Sequence, residues 1–284
     1  PPFFNHKTAY EICDVCLVGS EMCIRDSIVT MHTDFGDISV ILYDDTPKHK
    51  ASFINYAQKG NYDSTNFHRV IEDFMIQAGD IKSNPKASED YDKLVPEEIS
   101  LKHRNKRGAL GAPRQDNNVN PERSSSTQFY IVTGRVYSAV ELTTNVSKLN
   151  SGLTRYLQSV RHADLLEEFT VLEDSGKTEE LQARIYDLKD SIAEELNLNL
   201  DKKGVTQEEI SIYTTVGGAP HLDGDYTVFG EVIEGMDVAD SISHVEVDVS
   251  DRPKEPILLT MTVKELPREE ITRLYGYTYP KPEE

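Results

Sequence analysis

The stretch Asn66–Asp80, with the sequence NFHRVIEDFMIQAGD, decides the fold of this chain. It consists of two short apolar runs and ends in Gly-Asp, a pattern typical of strands bounded by turns. On a strand, Met75 and Gln77 point to the same face, because side chains alternate with a period of two residues. That face combines an apolar surface with one amide, and Arg69 precedes it in the same stretch. By pattern alone, a plain core strand with a surface arginine is the simpler interpretation.

Further short strands on both sides of this stretch predict a sheet. Runs rich in Val, Ile and Thr alternate with turn residues, and Asp34-Phe35-Gly36 supplies the glycine that a tight hairpin needs. Thr46-Pro47 predicts the start of a helix that continues to Gln58, since Pro is favoured at the first helical position. These elements predict a mainly β protein with a closed or nearly closed antiparallel barrel. The other predicted strands are 28–33, 37–43, 108–110, 128–133, 226–232 and 257–263, and a second short helix is predicted over 236–242.

Residues 136–216 interrupt the strand pattern with helical spacing. Apolar side chains recur there at intervals of three and four residues, as in Leu153–Val160, which predicts amphipathic helices. We therefore expect an α-helical hairpin inserted into the barrel. The predicted parts are barrel residues 28–135 and 217–266, the insertion 136–216, and a charged C-terminal tail, 267–284, that lies loosely on the surface.

The three cysteines of the chain all lie within its first 23 residues. They fit neither a closed zinc site, because His6 is the only nearby imidazole, nor a signal peptide, because no basic start or uninterrupted apolar segment is present. The run Cys16–Ser27, CLVGSEMCIRDS, instead back-translates into the read-2 adapter and transposon end of tagmentation sequencing libraries. We interpret residues 1–27 as a translated adapter, expected to be disordered, and place the start of the biological chain near Ile28.

The composition excludes several classes of function. The chain has 284 residues and a formal net charge of −19, from 30 Lys and Arg against 49 Asp and Glu. This balance argues against nucleic acid or an anionic membrane as a partner, because phosphates would be repelled. The sequence contains no uninterrupted apolar run of about 18 residues, so it predicts no membrane span. The eight histidines show no paired-ligand spacing, so we expect no metal and no cofactor. The basic run Lys102–Arg107, KHRNKR, is interpreted as a solvated loop.

Two more motifs follow Asn66–Asp80 in order, and together the three carry a resemblance. They are Ser124–Thr133, SSSTQFYIVT, and His221–Val232, HLDGDYTVFGEV. The three motifs closely resemble the cyclophilin-type peptidyl-prolyl cis-trans isomerases over residues 28–135 and 217–263. The resemblance implies a closed antiparallel eight-stranded barrel capped by two helices. Here it would be a bacterial type with a helical insertion.

The resemblance assigns roles to nine positions. Arg69 matches the catalytic arginine of the family, and Gln77 matches the glutamine that binds the substrate backbone. His221 and Tyr226 stand where many members have Trp and His. The loop Ala112–Arg114 aligns with the wall that binds the residues before proline, and it departs from the usual Ala-Asn pattern. The other implied substrate-binding residues are Phe74, Met75, Tyr130 and Leu222, which match the pocket for the proline ring, and Gln128, a further groove residue.

The chemistry of proline isomerisation explains these residue types. An X–Pro bond rotates slowly, because nitrogen delocalises its lone pair into the carbonyl and creates a barrier of roughly 18–20 kcal/mol. No bond is broken, so no nucleophile, metal or acid–base pair is required. A permanently charged donor such as Arg69 can hydrogen-bond the proline nitrogen in the twisted transition state. The sequence therefore predicts a peptidyl-prolyl cis-trans isomerase, of class EC 5.2.1.8, that assists the folding of protein substrates.

The same groove supports a second hypothesis, a chaperone or scaffold that binds proline-containing segments without turnover. The helical insertion motivates it, whereas Arg69 favours the enzyme, since a pure binder would not need that arginine. In both cases the expected partners are proline-containing polypeptides, and we expect a monomer. His221 in place of Trp lacks an indole N–H, which implies weak binding of the cyclosporin class of inhibitor. The compartment stays open between the bacterial cytoplasm and the periplasm or envelope, because residues 1–27 are not interpreted as native sequence.

Overall fold

A computed structural model describes residues 24–84, 94–114 and 122–280 of the chain. These residues form eleven strands and nine α-helices. The strands are β1 (Arg25–Thr33), β2 (Gly36–Leu42), β3 (Thr65–Asn66), β4 (Arg69–Ile71), β5 (Met75–Ala78), β6 (Leu94–Pro96), β7 (Ala109–Ala112), β8 (Arg123–Ser125), β9 (Phe129–Val132), β10 (Thr227–Glu234) and β11 (Leu258–Pro267). The helices are α1 (Pro47–Gln58), α2 (Ala139–Thr143), α3 (Val146–Leu157), α4 (Ala163–Asp174), α5 (Thr178–Asp187), α6 (Lys189–Leu196), α7 (Gln207–Thr215), α8 (Met236–Ser243) and α9 (Arg268–Tyr275).

Nine of these strands form one antiparallel sheet in the order β3-β11-β1-β2-β10-β7-β9-β5-β4. The two edge strands are consecutive in the chain, since only Phe67 and His68 separate β3 from β4. The N–H of Phe67 donates to the Ile257 carbonyl, and the N–H of His68 donates to the Gln77 carbonyl. The segment Phe67–His68 thus hydrogen-bonds near both edges of the sheet, and the sheet curls around its core.

The predicted mainly β, antiparallel architecture is confirmed, but the sheet differs in detail from a closed eight-stranded barrel. It has nine strands, and its edge strands β3 and β4 are not paired with each other in the described part of the chain. The break at Phe67 and His68 accounts for both differences, because it divides one segment into two short strands. Strands β6 and β8 form a separate two-stranded ribbon.

Helices α1 and α8 cap the curled sheet, as the sequence predicts. Helix α1 has the predicted bounds, and α8 extends one residue beyond its predicted end. The α1 side chain Phe53 packs into the core, with its ring centroid 5.3 Å from that of Phe129 and 5.5 Å from that of Phe229. The N-terminus of α1 is capped by Glu98, whose carboxylate accepts the N–H of Lys48 at 3.1 Å.

The insertion is helical, as predicted, but it contains six α-helices in place of a hairpin. Cap residues explain the division. Ser138 and Thr206 begin α2 and α7 with capping boxes, and the Asn145 side chain accepts the third N–H of α3. Helix α6 ends at Leu196, and the next residue, Asn197, adopts a left-handed conformation. The insertion has its own apolar core, formed by Leu149, Tyr156, Phe169, Leu188, Ile192 and Leu200.

Strand β1 begins within the segment interpreted as a translated adapter. Residues Arg25–Ser27 pair with the end of β11, and the carboxylate of Asp26 is 2.8 Å from the Lys50 ammonium. The expectation of disorder is therefore wrong for Arg25–Ser27, because both a pairing strand and a charge partner are available to them. The earlier part of the predicted leader, residues 1–23, lies outside the described residues.

The prediction of a loosely lying tail is wrong for residues 267–280, whereas the last four residues of the predicted tail, 281–284, lie outside the described residues. Helix α9 buries Ile271 completely against Ile28, Ile41 and Leu266. Arg268 forms an ion pair with Asp44. Spacing of four residues between Ile271 and Tyr275 gives α9 one apolar face, and the count of charges in this segment obscures that pattern.

Candidate active site

The candidate site lies on the outer face of strands β4, β5 and β9. Met75 and Gln77 point to this face, while the intervening Ile76 belongs to the core of the sheet. Strand register places Arg69 opposite Gln77, and Gln77 opposite Tyr130. Three strands that are neighbours in the sheet therefore bring an arginine, an amide and a phenol into one row.

Buried apolar side chains form the floor beside this row. Met75 and Tyr130 are each 3% exposed, and Leu222 is 8% exposed. Gly111 lies opposite Tyr130 on β7, where a Cβ atom would stand 2.2 Å from the tyrosine Cζ. Glycine at this position thus leaves room for the Tyr130 ring. The remaining buried members of this cluster are Ala109, Val132, Ala219 and Val228.

Aromatic side chains form the walls of this pocket. The ring of Phe74 packs against that of His221 at a centroid distance of 5.0 Å. The ring of Tyr226 meets that of Tyr130 edge-on, at 6.1 Å and an interplanar angle of 85°. Phe74 and Tyr226 are half-buried and His221 is exposed. The result is an open apolar hollow with flat walls, which suits a small aliphatic ring.

The polar rim of the pocket holds Arg69 and two amides. Gln77 Nε2 donates to Gln128 Oε1 at 2.9 Å. The Arg69 side chain is 46% exposed, and its Nε lies 3.6 Å from the carboxylate of Asp251. The backbone carbonyl of Asp251 accepts the N–H of Val70, so the Asp251 loop is fixed to β4. The aspartate thus lies at one side of the guanidinium group.

The loop 112–114, whose sequence differs from the Ala-Asn pattern noted above, forms part of the same rim. The Pro113 carbonyl accepts the N–H of Ser125 at 2.9 Å. The Arg114 guanidinium lies 5.4 Å from the centre of the Tyr226 ring, and it also hydrogen-bonds the Glu97 carboxylate at 3.1 Å. An arginine stacked on a tyrosine therefore borders the pocket at this side.

Comparison with known protein families identifies the family to which this fold belongs. The family model of the cyclophilin type peptidyl-prolyl cis-trans isomerases matches residues 28–189 and 198–263. The chain belongs to the cyclophilin family. Its match spans both parts of the sheet and most of the insertion, and it confirms the resemblance carried by the three sequence motifs.

Two bacterial proteins and one solved structure are similar to this cyclophilin. A protein of Staphylococcus epidermidis named as a peptidyl-prolyl cis-trans isomerase is 27% identical over 233 residues, covering 81% of this chain and 88% of that protein. A protein of Staphylococcus aureus with the same name is 27% identical over 234 residues, with the same coverage. The crystal structure of a cyclophilin type isomerase from Cryptosporidium parvum aligns with a TM-score of 0.50 and 17% identity, covering 85% of this chain and 98% of that one. This last similarity shows the shared fold alone.

The structure also reveals residues of this cyclophilin that the sequence analysis did not select. The hydroxyl of Tyr130 donates to Asn105 Oδ1 at 2.8 Å. The backbone N–H and side-chain amide of Asn105 donate to Asp223 Oδ1 at 2.8 Å and 3.1 Å. Burial raises the pKa of Tyr130 well above 10, so its phenol stays protonated and keeps its role as a donor. Asn105 and Asp223 thereby hold the phenol that forms the pocket floor.

The insertion contacts the same buried aspartate. The hydroxyl of Tyr213, on α7, donates to Asp223 Oδ2 at 2.6 Å. The Arg104 guanidinium donates to Glu209 at 3.0 Å and to Asp223 at 3.4 Å. The interpretation of Lys102–Arg107 as a solvated loop is therefore wrong for its central residues, because they satisfy buried and half-buried acids. The sequence signals for this network are the polar run Lys102–Arg107 and an aspartate directly after Leu222.

The described residues hold no group of three His, Cys, Asp or Glu side chains that could bind a metal ion. No helix within the described ranges is long and apolar enough to cross a membrane.

Proposed function

We propose that this cyclophilin isomerises X–Pro bonds in protein substrates, with Arg69 as its catalytic residue. The row of Arg69, Gln77 and Tyr130 beside the apolar pocket carries the proposal. The pocket would hold the proline ring by apolar burial, while Gln77 binds the neighbouring backbone. The segment on one side of the proline is then fixed and the carbonyl on the other side is free to rotate.

Arg69 would lower the barrier because its interaction is strongest in the twisted state. Rotation breaks the amide resonance and returns a lone pair to the proline nitrogen, which then accepts a hydrogen bond. No Nη atom of Arg69 makes a hydrogen bond within the described residues, and Asp251 lies beside Nε. The Nη groups therefore supply donors to the groove while the aspartate limits rotation of the side chain.

Replacement of Arg69 tests this assignment. Hydrogen bonds to charged groups contribute about 1.5–3 kcal/mol, so Arg69→Ala should lower kcat/KM for a short proline peptide by about 10- to 100-fold. Arg69→Lys keeps the charge but loses the planar set of N–H donors, so its kcat/KM should lie between those of Arg69→Ala and the wild type. The matched control is Arg273→Ala, which removes an exposed arginine from α9. Unchanged kcat/KM in Arg69→Ala would refute the catalytic role and would fit the binding-only hypothesis.

Partners of the groove are proposed on the same grounds. Proline-containing polypeptides fit the pocket, and we propose that the protein acts as a monomer. His221 offers a smaller apolar surface than Trp beside Phe74, so cyclosporin should bind more weakly than to cyclophilins with Trp there. Isothermal titration with cyclosporin compares the protein with its His221→Trp variant. Tighter binding by the variant is expected, and equal affinity would contradict this reasoning.

A further inference from the structure

A second cavity adjoins the candidate site on the other side of His221. Its volume is about 470 Å³. His221 lines this cavity and also packs against Phe74 of the proline pocket, so one side chain separates the two hollows. Among the residues that form the other walls are Arg135, Glu141, Gln182, Tyr186, Lys202 and Pro220.

The cavity is within reach of a peptide bound in the groove. The N–H of Arg135 donates to the Asp73 carbonyl, and the N–H of Thr133 donates to the Phe74 carbonyl, so the cavity wall continues the segment that carries Phe74. An extended chain advances about 3.4 Å per residue. A residue two or three positions from a bound proline therefore lies about 7–10 Å from it. This distance exceeds the 5.0 Å between the ring centroids of Phe74 and His221.

The charged side chains that line this cavity are Arg135, Lys202 and Glu141, so its lining carries one more positive than negative charge. Glu141 is paired with Arg135 at 2.7 Å and also accepts the N–H and hydroxyl of Ser138. Burial raises the pKa of Glu141, but these hydrogen bonds outweigh burial and leave its pKa lowered. The negative charge of Glu141 is thus already stabilised by groups of the protein itself.

Lys202 supplies the remaining charge. It is exposed, and no ion pair involves it within the described residues. The nearby acids are engaged elsewhere, since Asp201 pairs with Lys189 at 3.2 Å and Glu209 pairs with Arg104 at 3.0 Å. A positive cavity wall is unusual in a chain whose net charge is −19.

We propose that this cavity is a second substrate subsite, which receives an Asp or Glu side chain two or three residues from the proline and pairs its carboxylate with Lys202. The inference rests on the proposed function of the groove, because the peptide must first bind there. It assigns to the insertion a role in selecting substrates with an acidic residue near the proline.

Peptide binding tests the subsite directly. Fluorescence anisotropy would measure the Kd of labelled peptides with one proline and with Glu, Gln or Lys at each of three positions on either side. A partly exposed ion pair predicts that Glu binds about two- to fivefold more tightly than Gln at one or two positions on one side only. Lys202→Glu should reverse this preference. The matched control is Lys203→Glu, which makes the same charge change at the adjacent exposed residue outside the cavity lining and should preserve the preference.

Two outcomes overturn the subsite. Equal Kd values for Glu and Gln peptides at all positions would do so, as would equal loss of the preference in Lys202→Glu and Lys203→Glu, since overall charge would then explain it. Turnover of the Gln peptides reports separately on the proposed function. Binding without turnover would refute the isomerase and leave the Glu preference measurable, whereas absence of all binding would refute both.

Discussion

Removal of one hydroxyl group should show that the insertion supports the proline pocket. Tyr213→Phe deletes the donor that lies 2.6 Å from Asp223 Oδ2, and it keeps the fully buried ring. A hydrogen bond to a charged group contributes about 1.5–3 kcal/mol. Asp223 would retain the two N–H groups of Asn105 and the more distant Arg104, so we expect the lower end of that range.

The expected loss is measurable by thermal unfolding. A decrease of about 1.5 kcal/mol in the free energy of unfolding corresponds to a midpoint lower by about 3–6 °C. The control is Tyr156→Phe, because Tyr156 is also buried in the insertion and its hydroxyl makes no hydrogen bond within the described residues. That variant should change the midpoint little. Equal midpoints for the two variants would refute the contribution of the Tyr213–Asp223 bond.

Affinity for a proline peptide distinguishes support of the pocket from stability alone. Asn105→Ala removes the direct partner of the Tyr130 hydroxyl and leaves that buried group unsatisfied, whereas Asp223 Oδ1 keeps the backbone N–H of residue 105, so the loss of stability should be about 1–3 kcal/mol. We expect peptide affinity to fall most in Asn105→Ala, less in Tyr213→Phe and not in Tyr156→Phe. A peptide Kd for Tyr213→Phe that matches the wild type would show that the network stabilises the fold without positioning Tyr130.

Three further predictions concern other contacts. Asp251→Ala should lower kcat by about two- to fivefold with little change in KM, because an exposed ion pair contributes about 0.2–1 kcal/mol, whereas Glu246→Ala should leave kcat unchanged. Ile271→Ala should lower the free energy of unfolding by about 2–5 kcal/mol in urea titrations, against about 0.5 kcal/mol or less for the exposed Leu274→Ala, and similar values would contradict the packing of α9. Burial lowers the pKa of His49 below 6.5, so the unfolded chain binds more protons as the pH falls through that value. The urea midpoint should therefore be lower at pH 5.5 than at pH 7.5, and this difference should shrink in His49→Gln; an unchanged difference would exclude His49 as its source.

The part of the site that the sequence predicts follows from local periodicity and short motifs. Alternation along a strand places Met75 and Gln77 on one face, and the structure has them there. Residues such as Leu222 and Tyr226 could be selected only through the resemblance of their motif, because they lie far along the chain. Their catalytic and binding roles stay predictions, since position alone does not measure them.

The residues that the sequence analysis did not select depend on contacts between distant segments. Asn105 meets Asp223 across 118 positions, and no local pattern encodes such a pair. The hairpin predicted for residues 136–216 was wrong for a different reason. Apolar spacing continues through the insertion, whereas caps such as Ser138 and Asn145 each begin a separate helix. Periodicity therefore predicts helical content better than it predicts the number of helices.

The point at which the insertion joins the sheet explains why it can change the surroundings of the site and leave the row of Arg69, Gln77 and Tyr130 in place. The N–H of Gly218 donates to the Arg135 carbonyl at 3.0 Å, so the chain leaves and rejoins the sheet at adjacent positions. A Cβ on Gly134 would lie 2.1 Å from the Gly218 carbonyl oxygen, which makes this close approach possible only for glycine. The order of the strands is therefore independent of what lies between these positions. Helices added here can place Tyr213 behind the pocket and Lys202 beside it, and so alter the surroundings of the row without moving its residues.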